Sequence, residues 1–345
     1  MKDKYERAVG ALSGLAVGDA LGMPTQSLAR SAIVARYGTR VDRLESASPD
    51  HPIAGGLAAG TVTDDTEQAL LLGHLLVESA GLPDPKDLAH RLLLWEEDMR
   101  RRGSRDLLGP STSRAIAELL SGTDVGESGR HGTTNGAAMR ITPLGICTPI
   151  GDLKVLVDRV EEVSRISHNT GIALAGAAAI AAAVSAGIDG ANVFEATTVA
   201  VDAAIMATNR GFWVAGADVA TRIRWAVSVV TAPIVQGDVA DLISTLIGTS
   251  LACQESIPAA FAVLAVHPND PWAACRLAAS LGGDTDTIAA MVGAVAGACS
   301  DMDGFPYSIL DTVLNVNSLD LGPLAGSLLS LRTRGGTAGE NSGSL

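Results

Sequence analysis

The chain has 345 residues, of which 47% are hydrophobic, 18% charged and only 3% aromatic, and its formal net charge is −13. That apolar share supplies a core for one large domain or two modest ones and excludes a disordered chain. The acidic balance excludes nucleic acid as a general partner, because neutralising phosphates requires a basic face.

Helical signals dominate from the N-terminus onward. Apolar residues at three- and four-residue spacing, or continuous Ala/Leu/Val runs, predict helices over 5–17, 65–79, 85–101, 111–121, 152–166 and 170–187. The pattern continues over 191–208, 215–229, 238–251, 255–265, 271–280 and 287–299. Asp64 with Glu67 three residues on has the capping-box pattern. Glycine and proline punctuate 22–24, 49–60, 81–85, 126–136 and 145–151. The 38 glycines and abundant alanine favour helices whose backbones approach closely. Strand-like alternation is scarce; 227–231 is the best candidate and reads equally well as a helix end. The most apolar stretch, 172–188, contains Gly176, Ser185 and Gly187 and is expected to be a central buried helix, not a membrane span. No linker or fixed-period repeat is visible. The expected architecture is one all-α domain over 1–331, a compact multi-helix bundle, with a polar, glycine-rich tail over 332–345 expected to be disordered.

Cys147, Cys253, Cys275 and Cys299 are scattered without a CxxC pair, as expected of reduced, buried thiols in the cytoplasm. The charged start, Met1 to Arg7, has no secretory-signal pattern. Arg100, Arg101, Arg102 and Arg105 form a basic knot, read as a solvated helix end or as a contact for an anionic substrate or partner. His51, upstream of the first acidic motif, is expected on a loop surface, with a place lining the cleft as the alternative, and His74, His90, His131 and His267 have no ligand spacing. Trp95, Trp213, Trp225 and Trp272 are expected to be packing residues.

Two acidic clusters carry the chemistry: Thr63-Asp64-Asp65-Thr66 and Asp284-Thr285-Asp286-Thr287. Side chains of helix neighbours diverge by about 100°, so Asp64 and Asp65 converge only where the backbone is not yet helical. Alone, the first cluster reads as simple capping. The second follows Gly282-Gly283, which permit a sharp turn, and Asp284 and Asp286 in an extended turn point the same way. Grouped carboxylates repel unless a cation neutralises them. Oxygen-only donors suit Mg²⁺ or Mn²⁺ and not zinc or copper. If folding joins the clusters, the cup has room for two such ions.

Gly18-Asp19-Ala20-Leu21-Gly22, Gly60-Thr61-Val62-Thr63-Asp64-Asp65-Thr66-Glu67, Thr134-Asn135-Gly136-Ala137-Ala138-Met139-Arg140, His168-Asn169 and Gly282-Gly283-Asp284-Thr285-Asp286-Thr287 resemble, in order, the motifs of the ADP-ribosylglycohydrolase family. The resemblance runs from about residue 8 to 300 and implies an all-α domain with two Mg²⁺ or Mn²⁺ ions in a central cleft. It implies Thr63, Asp64, Asp65, Asp284, Asp286 and Thr287 as metal ligands. Asp106 matches an acidic residue set against the substrate ribose. Gly132, Thr133, Thr134 and Asn135 match a glycine-rich substrate loop, with Met139 and His168 at substrate-side positions. Asn169 is either an N-cap or a site residue. Asp19 is expected either to support the metal ligands from behind or to be a helix-terminus partner, and not to be a ligand itself. One departure stands out. Gln26 occupies the place where many relatives carry a glutamate, and glutamine hydrogen-bonds but takes no proton at neutral pH.

The resemblance implies metal-assisted hydrolysis of a ribosyl glycosidic bond, with Asp65 and Asp286 coupling metal to water and Asp106 orienting the sugar. The substrate is either an ADP-ribosylated protein or a small ribosylated metabolite such as a nucleoside, with no nucleic-acid or membrane partner. A non-enzymatic ADP-ribose-binding or structural protein on the same scaffold is the alternative from another class, and a different dinuclear hydrolase is the third.

Overall fold

The structure, a computed structural model, describes residues 2–105, 107–232, 238–300 and 302–336. Its long elements are all helical, and among the described residues extended pairing is limited to three isolated bridges. In chain order the helices are α1 (Lys2–Gly22), α2 (Arg30–Tyr37), α3 (Asp64–Glu78), α4 (Pro85–Arg101), α5 (Pro110–Leu120) and α6 (Val125–Ser128). Then come α7 (Gly136–Met139), α8 (Thr142–Cys147), α9 (Leu153–Ser164), α10 (Gly171–Ile188), α11 (Val193–Ala207) and α12 (Val219–Val230). The last are α13 (Val239–Leu242), α14 (Cys253–Val266), α15 (Pro271–Ala278), α16 (Thr285–Ser300), α17 (Tyr307–Val316) and α18 (Leu321–Gly336).

Local signals start these helices where periodicity places them. The side chains of Asp84, Asp152, Asp218 and Asp270 accept backbone N–H groups at the starts of α4, α9, α12 and α15. Proline opens α4, α5 and α15, where its missing N–H has no helical partner to lose. The start of α3 differs from the expected capping box. Thr63 is its N-cap, and the Glu67 side chain turns away to Trp95 and Arg102. The stretch 227–231 is helical to Val230, not extended. The helix expected over 238–251 ends early, passing from α13 through a π-turn at Ile243–Ile247 to Gly248. Gly248 has φ +92°, and a Cβ there would meet the Glu255 carboxyl at 2.6 Å.

Every residue of α10 is buried. It is long and apolar enough to cross a membrane, with mean hydropathy 2.0, yet it forms the central rod of the bundle, packed on α8, α11 and α16. Alanine along its whole surface lets helices close on all sides.

The most extensive helix contact joins α1 to α16. Gly10, Gly14, Gly18 and Gly22 recur every fourth residue of α1, and Gly293 and Gly297 do so in α16. A Cβ on Gly14 would lie 2.0 Å from the Gly293 oxygen, one on Gly18 2.0 Å from the Ala289 oxygen, and one on Gly297 2.1 Å from the Gly10 oxygen. The two backbones therefore touch along antiparallel glycine stripes. That contact lays the first turn of α16 against Gly22, at the end of α1 that also carries Asp19.

Four longer helices lie outside the expected set: α2, α8, α17 and α18. The last corrects the expected tail boundary. Arg332 is buried and donates to the carbonyls of Gly145, Ile146 and Thr148 while pairing with Asp189. An isolated buried guanidinium requires such partners, so this part of α18 belongs to the domain. Residues 337–345 of the expected tail lie outside the described residues.

Candidate active site

The first acidic motif is built on a buried carboxylate from another helix. Asp19, fully buried, accepts the N–H groups of Thr63 at 2.9 Å and Thr66 at 3.1 Å, and both threonine hydroxyls. It serves as the helix-terminus partner expected, receiving donors that the first turn of α3 leaves unpaired. Burial pushes its carboxyl up to about 6, against the pull of these bonds. The Thr63 hydroxyl has one hydrogen, and Asp19 Oδ1 at 2.8 Å is nearer to it than Asp65 Oδ2 at 3.2 Å. Asp65 is fully buried; its Oδ2 accepts the Thr287 hydroxyl at 3.3 Å, and its Oδ1 has no hydrogen-bond partner. Burial first, then the charges of Asp64, Asp286, Asp19 and Asp284, raise the Asp65 carboxyl well above its ordinary value.

The second motif is held by backbone. Gly282 and Gly283 have φ +84° and +76°, a region where side-chain-bearing residues are strained, and a Cβ on Gly283 would lie 2.3 Å from the Thr249 oxygen. Three backbone bonds clamp the turn: Ser27 N–H to the Gly283 oxygen at 2.7 Å, Gly283 N–H to Leu28 at 2.9 Å and Asp284 N–H to Thr249 at 2.8 Å. Asp284 precedes α16, whereas Asp286 and Thr287 sit in its first turn, so the acids flank a helix start and not the extended turn expected. Asp284 Oδ2 accepts the Asn135 amide at 2.5 Å. Burial pushes the Asp284 carboxyl up to about 6, opposed by hydrogen bonds from Asn135 and Thr287.

Both motifs border one cavity of about 520 Å³, within the range of roughly 300–1,000 Å³ common for small-molecule sites. Of the residues singled out from sequence, Gln26, Asp64, Thr134, Asn135, Met139, Asp284, Asp286 and Thr287 line it. Thr63 and Asp65 are not among the lining residues; both are buried at the adjoining start of α3. Gly132 and Thr133 act through the backbone. Gly132 packs on Ser167 and His168, and the Thr133 carbonyl accepts the Cys253 N–H at 3.3 Å. His168 is entirely buried next to Thr134, and burial together with Arg140 holds its imidazole neutral, well below its ordinary pKa. Asp106 lies outside the described residues.

Several expectations are corrected. His51 is buried, not a surface residue. Its Nδ1 accepts the N–H groups of Ile53 and Ala54, so Nε2–H donates to the Gln26 carbonyl at 2.9 Å. It thereby anchors Gln26, whose Nε2 is buried at the cavity without a partner. Thr170, not Asn169, caps α10; Asn169 donates to the Gly126 carbonyl. Trp95, Trp225 and Trp272 pack against the core, but Trp213 is 86% exposed. Arg100, Arg101 and Arg102 form surface pairs with Glu96, Asp98 and Glu67, while Arg105 reaches the cavity.

Sequence reasoning missed the apolar wall of Ile53, Leu107, Leu108 and Leu251, since isolated aliphatic residues in loops carry no periodicity. It also missed Gln68 and Ser167, which act by hydrogen-bonding to functional side chains. Among the described residues no three His, Cys, Asp or Glu side chains stand in a ready-made coordination shell. The donor chemistry nevertheless fits a hard divalent cation: oxygen donors only, mutually repelling carboxylates and an unpartnered Asp65 oxygen in the interior.

The family model for ADP-ribosylglycohydrolase matches residues 1–337, and the chain belongs to that family of glycohydrolases, whose members act on ADP-ribosylated substrates. It is similar to "Uncharacterized protein YegU" of Escherichia coli K12, 33% identical over 95% of this chain and 98% of the relative. "ADP-ribosyl-[dinitrogen reductase] glycohydrolase" of Rhodospirillum rubrum is 33% identical over 48% of this chain and 52% of its own length. A solved structure described as "ADP-ribosylglycohydrolase-related protein complex" shares the fold at TM-score 0.71 and 24% identity, covering 96% of this chain and all of that one.

Proposed function

We propose that this chain is a divalent-cation-dependent hydrolase that cleaves the ribosyl glycosidic bond of an ADP-ribosylated substrate. The observation that carries the reading is convergence. Thr287 and Asp65, 222 positions apart, lie in hydrogen-bond contact, and both acidic motifs border one cavity. Asp64, Asp65, Asp284, Asp286 and Thr287 would hold one or two Mg²⁺ or Mn²⁺ ions. Bound there, such ions would supply Lewis-acid polarisation of sugar hydroxyls and of a water near neutral pH.

The protein's own groups do the rest. A carboxylate of the cup takes the proton of the attacking water; Asp286 lines the cavity, and Asp65 is joined to the same helix start through Thr287. Gln26 accepts no proton, but its unpartnered amide donates to a substrate oxygen. Asn135 holds Asp284 in place. Arg105 supplies positive charge for a diphosphate, and the wall of Ile53, Leu107, Leu108 and Leu251 accepts an apolar or aromatic group while excluding water.

A second reading, hydrolysis of a small N-riboside, is favoured by Gln26 itself, because a site without a glutamate there suits a different leaving group. A panel of arginine- and serine-linked ADP-ribose and free nucleosides, supplemented with Mg²⁺ or Mn²⁺, separates the two. Release of ADP-ribose that stops on chelation is expected. Release of ribose from nucleosides alone selects the second reading, and ADP-ribose bound without turnover of any substrate overturns both.

A further inference from the structure

Arg140 is the largest fully buried side chain among the described residues, and its hydrogen-bond partners are uncharged. Burial draws it down to about 10, so it is still a cation at neutral pH. A buried cation is costly, so its placement needs a reason beyond packing.

Guanidinium only donates, and Thr134 spends its hydrogen on Ser111; together these two facts order the surrounding network. One fork, Nη1, donates to Gln68 Oε1 at 3.2 Å, which leaves Gln68 Nε2 to donate to Asp64 Oδ2 at 2.8 Å. The other fork, Nη2, donates to Ser167 Oγ at 2.5 Å. The Ser167 hydrogen then goes to His168 Nδ1 at 2.8 Å, His168 Nε2–H goes to Thr134 Oγ1 at 2.9 Å, and Thr134 donates to Ser111 at 2.9 Å. One arm reaches Asp64 in the acidic wall and the other passes through Thr134 in the glycine-rich loop, and both of these residues border the same cavity.

We infer that Arg140 is a positioning residue that locks the acidic wall and the substrate loop into one hydrogen-bond order, so that divalent-cation uptake at Asp64 and the orientation of Thr134 are coupled through it. The inference rests on the cation-dependent reading above. It adds a reason for the buried guanidinium: one side chain with two donor ends spans Gln68 and Ser167.

The test measures Mn²⁺ affinity by calorimetry and the His168 tautomer by ¹⁵N NMR of the imidazole, on the full chain. The native protein should show His168 as the neutral Nε2–H form. Gln68→Met cuts the acidic arm and should weaken Mn²⁺ binding about tenfold, the low end for losing a group that orients a metal ligand, with the tautomer kept. Ser167→Ala cuts the loop arm and should mix the tautomers while also weakening Mn²⁺ several-fold. Arg140→Lys keeps the charge but not the two-ended fork, and should shift both. If Arg140→Lys does not fold, the single-arm variants carry the test. Ser167→Ala with a changed tautomer and native Mn²⁺ affinity overturns the coupling, as does Gln68→Met with native affinity. A native protein that takes up no Mn²⁺ overturns the function reading and the cation half of this one. The His168 tautomer in the Arg140 and Ser167 variants then still decides whether Arg140 orders the loop.

Discussion

The two acidic motifs place the same residue types at helix starts by different means. At α3 the anchor is a side chain: Asp19 receives four donors from Thr63 and Thr66. At α16 the anchor is backbone: two left-handed glycines clamped by Ser27, Leu28 and Thr249. The first arrangement spends a buried charge on position and leaves Asp64 at the cavity. The second needs no further charge, only residues without a Cβ. A cup already crowded with negative charge gains from having one wall held by neutral means.

The largest effect should fall on an acid that borders the cavity without anchoring a helix. Asp286→Ala is expected to lower kcat/KM by about 10²–10³-fold, the scale for losing one preorganised charge-stabilising group, with native helical circular dichroism. Unchanged turnover would remove Asp286 from the mechanism. The anchors should instead report in stability. Asp19→Asn turns an amide N–H toward buried donors and is expected to cost about 2–4 kcal/mol in urea unfolding. Gly283→Ala forces a Cβ into a left-handed position 2.3 Å from a carbonyl and is expected to cost about 3 kcal/mol. If only one of these destabilises, the two-anchor comparison fails at the other motif.

The pH dependence sharpens the same contrast. Asp19 and Asp284 are pushed up to about 6, and Asp65 is also raised. A carboxyl raised by folding contributes stability that is full below its unfolded value, near 3.8, and is lost as pH rises through about 6. Cation-free protein should therefore melt at falling temperature between pH 4 and 7. Added Mg²⁺ or Mn²⁺ should raise the melting temperature more at pH 7 than at pH 5, because cations compete with protons for these oxygens. Melting curves with equal cation effects at both pH values would contradict the cup. The smallest effect is expected from Gln26→Ala: KM up to about tenfold higher with kcat little changed, as for one neutral hydrogen bond.

Much of the frame was legible locally. The boundaries of α4 follow from Asp84, Pro85 and a regular apolar stripe, and the burial of α10 from its unbroken alanine and aliphatic surface. Helix α2 escaped notice because only Ile33 on it is buried, so it has almost no apolar stripe to read. Helix α18 escaped because glycine, proline and serine interrupt its apolar pattern, although Arg332 ties it into the core. His51 read as a loop residue, and it is one; its burial depends on Gln26 arriving from the other side.

The amino-acid order by itself determined the helical class, the positions of the acidic motifs and their oxygen-donor chemistry, since periodicity, capping and ligand hardness are properties of short segments. Only the tertiary structure decided that Asp65 meets Thr287, that the helix start Asp19 serves is that of α3, and that Arg140 lies between two walls of one cavity. Those outcomes depend on glycine stripes in α1 and α16 bringing two backbones into contact, and a contact between distant segments has no local signature in either.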